Sequence, residues 1–141
     1  MKTIAELSVL IVEDHPLQQK LLAGQLYRWG CDSVTIANDG AEAIEVMARQ
    51  QVDVVFCDIN MPNMNGTRFV ATQGELARST GQTLPMLAWM SSEERTVLDL
   101  HVTLAREAGF LGVCAYSKPS TATTVLQILK NALFFKEGRV V

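Results

Sequence analysis

A basic excess is missing from this sequence. Twelve Lys and Arg face fifteen Asp and Glu, a formal net charge of −3 with a pI near 5.3. The basic residues are scattered rather than clustered, so direct binding to DNA or RNA, which calls for a basic patch, is not expected. Cysteine is scarce. Cys31, Cys57 and Cys114 form no C-x-x-C pair and no zinc-ligand spacing. An odd number of thiols, two of them inside apolar runs, reads as small buried side chains in a reducing compartment, the cytoplasm. Long apolar runs are absent too. The stretch before Glu13 has only six residues, too few for a signal peptide and far too few for a membrane span. No repeat, low-complexity tract or proline-rich linker interrupts the chain. What is present excludes disorder: 48% of the 141 residues are hydrophobic and 19% charged, the latter below the roughly 25% of soluble domains. A chain of this length makes one domain and buries about two-thirds of its unfolded surface, so its core needs no staple.

Short β-branched runs alternate with longer segments of helical period, the pattern of a parallel α/β sheet. Leu7 to Val12 reads as a first strand buried on both faces. A helix follows from His15 to about Trp29, with Leu17, Leu21, Leu22 and Leu26 at helical spacing and Gly30 as its stop. Ser33 to Ala37 is a second strand, and Asn38-Asp39-Gly40 opens a second helix. A third strand over Val52 to Cys57 ends at Asp58, and a loop through Gly66 leads to a helix ending near Arg78. Pro85 begins a fourth strand over Met86 to Met90, followed by a helix from Glu93 to Ala108 and the stop Gly109. Leu111 to Tyr116 is a fifth strand, and Thr121 to Phe135 a last helix. The expected fold is α/β: a doubly wound, five-stranded parallel sheet flanked by five helices, flavodoxin-like in topology.

Ligands of open α/β sheets bind beyond the carboxyl ends of the strands. Those ends here carry Glu13-Asp14, Asp58, Ser91 and Lys118-Pro119. Two like charges about 4 Å apart repel by roughly 4 kcal/mol at an effective dielectric near 20, so three carboxylates require a proton or a shared cation. A hard divalent ion such as Mg²⁺, held by one or two carboxylates with water and phosphate oxygens, meets that need. Lys118 can pair with Asp58 or with an anion attached to it, and the Ser91 hydroxyl can donate to a phosphate oxygen. These parts describe a phosphoryl-transfer site with a carboxylate nucleophile.

At Val12-Glu13-Asp14-His15-Pro16, Cys57-Asp58-Ile59-Asn60-Met61-Pro62-Asn63-Met64-Asn65-Gly66 and Ser117-Lys118-Pro119 the sequence resembles the receiver domain of two-component response regulators. The resemblance covers essentially the whole chain. It implies one receiver domain over residues 1–141, with a folded core of about 5–135 and a tail or linker at 136–141. It also implies roles. Asp58 would accept a phosphoryl group from a sensor histidine kinase or phosphotransfer protein. Asp14, Asp58 and the backbone carbonyl of Asn60 would ligate Mg²⁺, with Glu13 helping through water. Lys118 would pair with the phosphate across from a Lys118–Pro119 bond that is cis in many relatives, and Ser91 would be the switch hydroxyl. The domain would catalyse only its own phosphorylation and dephosphorylation.

Two positions depart from the family pattern. Counting from Pro85 puts the switch hydroxyl at Met90, so Ser91 needs a bulge or a shifted strand end. The aromatic expected three residues before the lysine is Ala115, and Tyr116 stands one place later. The fourth helix, fifth strand and fifth helix, with Val97, His101, Leu104 and Tyr116, form the expected docking surface for a second copy or an output domain. The long segment after Ser91-Ser92-Glu93 also resembles receivers attached to cyclic-di-GMP phosphodiesterase (EAL-type) domains, and the chain reads as a stand-alone receiver or a piece of a longer regulator or hybrid kinase.

Other classes fit less well. A haloacid-dehalogenase phosphotransferase needs D-x-D-x-T, but Asn60 and Pro62 stand at those places. A flavodoxin-like carrier would find Glu13-Asp14 repelling its phosphate, and no G-x-x-x-x-G-K-[ST] loop is present. The structural alternative is a receiver-like interaction module that takes no phosphate.

Overall fold

The computed structural model describes residues 3–61 and 63–136. A 3-10 turn over Ile4–Glu6 leads into β1 (Ser8–Val12), α1 (Pro16–Arg28), β2 (Ser33–Ala37), α2 (Gly40–Arg49), β3 (Val54–Asp58), α3 (Gly66–Thr80), β4 (Met86–Ser91), α4 (Arg95–Ala108), β5 (Val113–Ser117) and α5 (Ala122–Lys136). The strands pair in parallel in the order β2-β1-β3-β4-β5, the doubly wound arrangement expected. The order reverses between β1 and β3, which opens a crevice at their carboxyl ends.

Why the central strands read as nearly unbroken apolar runs is plain from the layers. β3 and β4 are buried along their whole length and β1 in all but its first residue. Alternate residues feed two cores. Val9, Ile11, Val54, Phe56, Met86 and Ala88 pack under α1 and α5 with Leu22, Leu26, Val125 and Leu129. Leu10, Val12, Val55, Leu87 and Trp89 pack under α2, α3 and α4 with Met47, Phe69 and Leu98. Full burial of each such aliphatic or aromatic side chain contributes about 1.5–3 kcal/mol, so the sheet is held rigidly from both sides and its edge can carry strained charge.

Element ends moved where local chemistry overrode the apolar pattern. β3 begins at Val54 rather than Val52, because Asp53 is taken up as an anchor: its Oδ2 accepts from Ser8 N at 2.8 Å and its other oxygen pairs with Lys136. β5 begins at Val113 rather than Leu111, which is 81% exposed, while a side chain at Gly112 would meet the Phe135 ring. α4 starts at Arg95 rather than Glu93 because the Ser91 Oγ accepts from Glu93 N at 3.0 Å and holds that residue in a turn. Neither Ser91 nor Ser92 caps the helix; its N-cap is Glu94. Of the expected tail at 136–141, Lys136 closes α5 and 137–141 lie outside the described residues, as do Met1, Lys2 and Pro62.

Candidate functional site

The carboxyl ends of β1, β3, β4 and β5 meet at one edge, and the predicted residues converge there. Glu13 follows β1 and is buried. Its Oε1 accepts from His15 N at 3.2 Å, and its Oε2 takes the Lys118 ammonium at 2.7 Å. Asp58 ends β3, also buried, with Oδ2 at 3.3 Å from the same ammonium. Ligand atoms of Glu13, Asp14 and Asp58 all lie within 4.8 Å of one another, the single such group of His, Cys, Asp or Glu among the described residues. Lys118 leaves β5 across a cis bond to Pro119, and its N–H donates to Ser91 O at 2.9 Å, which ties the ends of β4 and β5 together.

Three carboxylates thus gather where one ammonium pairs with only two of them, Glu13 and Asp58, and the charges do not balance. Burial pushes the Asp58 carboxyl above its ordinary value, the Glu13 charge adds to the rise, and Lys118 opposes it without cancelling it. Burial works against the Lys118 charge, but its bonds to Glu13 and the pull of Asp58 and Glu13 win, so its pKa is raised and it stays cationic. The surplus is what a hard divalent cation would neutralise, and the all-oxygen donor set fits Mg²⁺. Cys57, behind Asp58, is fully buried and its thiol is pushed up by that burial, so it is packing rather than a second nucleophile.

The loop after β3 is fastened at both ends. Ile59 N donates to Met90 O and Gly66 N to Ile59 O. Asn63, at φ 64°, donates to the Asp39 carboxylate at 2.9 Å, and Asn65 caps α3 by accepting from Arg68 N at 2.9 Å. Gly66 is required by space: a Cβ there would stand 2.3 Å from Asp58 O and 2.8 Å from the Trp89 ring.

Asp58, Asn60, Ser91, Ser92, Glu93 and Lys118 line an open cleft of about 290 Å³. At its rim the Asn60 side-chain amide donates to the Glu93 carboxylate at 3.2 Å, a contact that the sequence did not announce. No bulge precedes Ser91; β4 runs unbroken to it, with Met90 paired to Asp58 on one side and Tyr116 on the other. Alternation therefore puts Met90 on the Asp58 face, packed into the core with Phe56, while Ser91 enters the cleft as the last residue of the strand. Tyr116 corrects the expected docking surface. It faces α1 and α5, 8% exposed, with its ring edge-on to Phe56 at 6.5 Å. His101 is partly buried, whereas Leu104 is exposed on α4.

Residues 9–129 match the model of the response regulator receiver domain. The chain belongs to that family. Receiver domains are phospho-accepting signalling units of two-component phosphorelays that bind Mg²⁺ in an acidic pocket, and the Glu13, Asp14 and Asp58 group answers to that description. This receiver domain is 40% identical over 82 residues to the sensor histidine kinase RcsC of Escherichia coli, a stretch of 58% of this chain and 8% of that kinase. It spans, then, a small fraction of the curated relative it matches. Chemotaxis protein CheY4 of Vibrio cholerae superposes with a TM-score of 0.74 at 23% identity, over 89% of this chain and 98% of that one. The receiver domain of Saccharomyces cerevisiae Ssk1, solved with the histidine phosphotransfer protein Ypd1, does so with 0.77 at 18% identity, over 92% and 90%. At such identities the two structures speak for the shared fold alone. The family match says nothing of an EAL-type output. No helix among the described residues is long and apolar enough to cross a membrane.

Proposed function

We propose that this receiver domain takes a phosphoryl group onto Asp58 from a phosphohistidine on a sensor kinase or phosphotransfer protein, in the cytoplasm, and switches a docking surface in response. The observation that carries this reading is the shared Lys118 ammonium: one cation bridges Asp58 and Glu13 while three carboxylates crowd within reach of one metal ion. A carboxylate oxygen of Asp58 attacks phosphorus, the P–N bond of the donor breaks, and the imidazole leaves with the electron pair. Bound Mg²⁺ would neutralise charge on the phosphoryl oxygens, held by Asp14, Asp58 and the Asn60 carbonyl, with Glu13 acting through water. Lys118 leaves Asp58 to meet the new phosphate, and the Ser91 hydroxyl donates a hydrogen bond to a phosphate oxygen while its Oγ keeps accepting from Glu93 N. The complex of the Ssk1 receiver with Ypd1 supports a phosphotransfer protein as the donor class. For output, a second copy or a linked domain would use α4 and its neighbours.

Incubation with acetyl phosphate and Mg²⁺, followed by intact mass, tests the reading. One phosphoryl adduct is expected in the wild type, and none in Asp58→Asn or without Mg²⁺. A wild type that takes no phosphoryl group from acetyl phosphate or from a phosphorylated kinase would favour the inert interaction module.

A further inference from the structure

Two places where a response to phosphorylation could begin are blank in this chain. The residue in register with Asp58 on β4 is Met90, which has no hydroxyl, and position 115 on β5 is alanine, which has no ring to move. Ser91 is engaged locally with Glu93, and Tyr116 faces away under α1 and α5. Polar contacts nevertheless leave the site by another route. At Gly66 the Asp58 carbonyl, the start of α3 and the Trp89 ring are in such close contact that no Cβ fits between them. Trp89 is fully buried, and its indole N–H donates to the carbonyl of His101, in the middle of α4, at 2.9 Å. The imidazole of His101 stands edge-on to the indole, with ring centres 5.5 Å apart. Because the Val97 carbonyl can only accept, His101 Nδ1 carries the proton and donates to it at 2.8 Å. In the neutral ring Nε2 then accepts from the Thr67 hydroxyl at 3.2 Å. Thr67 adjoins Gly66, so the contacts close a circuit: Asp58 carbonyl, Gly66, Thr67, His101, Trp89 and back.

We propose that the Thr67–His101 hydrogen bond, with Trp89 behind it, is the link that passes the state of Asp58 to α4. The inference rests on the phospho-acceptor reading and adds its route. A shift of the Asp58 carbonyl or of the end of β4 finds no free space at Gly66, and close-packed interiors transmit such displacements rather than absorb them. The start of α3 and the middle of α4 therefore move together, and with them the exposed Leu100 and Leu104 of α4. Thr67 and His101 are positioning residues here; neither lines the cleft.

Amide spectra of the wild type, Thr67→Val and Thr67→Ser with saturating Mg²⁺ and beryllofluoride test it. All three should bind the mimic, seen as shifts in residues 58–66. Amides 97–104 should shift in the wild type and in Thr67→Ser, which keeps the hydroxyl. In Thr67→Val, with an unaltered spectrum before addition, that α4 response should fall about threefold, within the range by which linked positions alter coupling. His101→Leu, which removes the other partner, should match it. An α4 response in Thr67→Val equal to the wild type would overturn the link while leaving Asp58 as acceptor. No shift at 58–66 in any variant would overturn the phospho-acceptor reading and the link with it.

Discussion

β3 has a buried aspartate at each end, and each is paired with a lysine. Asp53, just before the strand, sets one oxygen against Lys136 and accepts Ser8 N with the other, so a single negative charge meets a cation and an N–H. That arrangement ties the first strand, the third strand and the last helix together. Asp58, at the far end, shares its lysine with Glu13 and has Asp14 within ligand distance. A buried aspartate paired with a lysine is thus no mark of function by itself. The imbalance is: the balanced end is a clamp, and the end with surplus negative charge is prepared for a cation and a phosphoryl group.

The comparison breaks most sharply under phosphorylation. Asp53→Asn should take up one phosphoryl group from acetyl phosphate and Asp58→Asn none, read by intact mass. In stability the order reverses. Lys136 is exposed and can return to water, so removing Asp53 strands chiefly the Ser8 N–H, at a cost of about 1–3 kcal/mol, and Asp53→Ala should lower Tm by roughly 5 °C in a thermal melt. Asp58→Asn should instead raise the metal-free Tm by a few degrees, because it removes a buried charge beside Glu13. The smallest effect lies in pH. The raised pKa of Asp58 means that above the unfolded Asp value, about 3.9, the unfolded chain has lost a proton that the folded one still holds. Metal-free stability contributed by this group therefore declines as pH rises through the interval up to its folded pKa. Denaturant titrations across acidic pH should show that decline in the wild type and its absence in Asp58→Asn.

Much of this was legible in the sequence because strand ends announce themselves: an apolar run stops at Glu13-Asp14, at Asp58 and at Lys118, and the parallel fold brings those stops together. The order of ten elements followed from the same alternation. Polar contacts to backbone were not legible. Trp89 looks like any core aromatic until its indole N–H is seen on the His101 carbonyl, and the Asn60–Glu93 contact joins residues 33 apart. The apolar pattern starts strand five too early because Leu111 and Val113 look alike in it, although Gly112 must lie against Phe135 and leaves Leu111 outside. Tyr116 shows the cost of a one-residue displacement in a period-two element: its ring joins the core under α1 and α5 instead of the α4 side.

The contrast between the two ends of β3 reduces to where Mg²⁺ binds, and thermal melts over a Mg²⁺ titration read that directly. A ligand at 100 times its dissociation constant stabilises the folded state by about 2.7 kcal/mol. The wild type and Asp53→Asn should both gain Tm with Mg²⁺, and Asp58→Asn should gain little. Equal gains in the wild type and Asp58→Asn, or none in the wild type, would contradict the assignment of the surplus charge at Asp58 as the metal site.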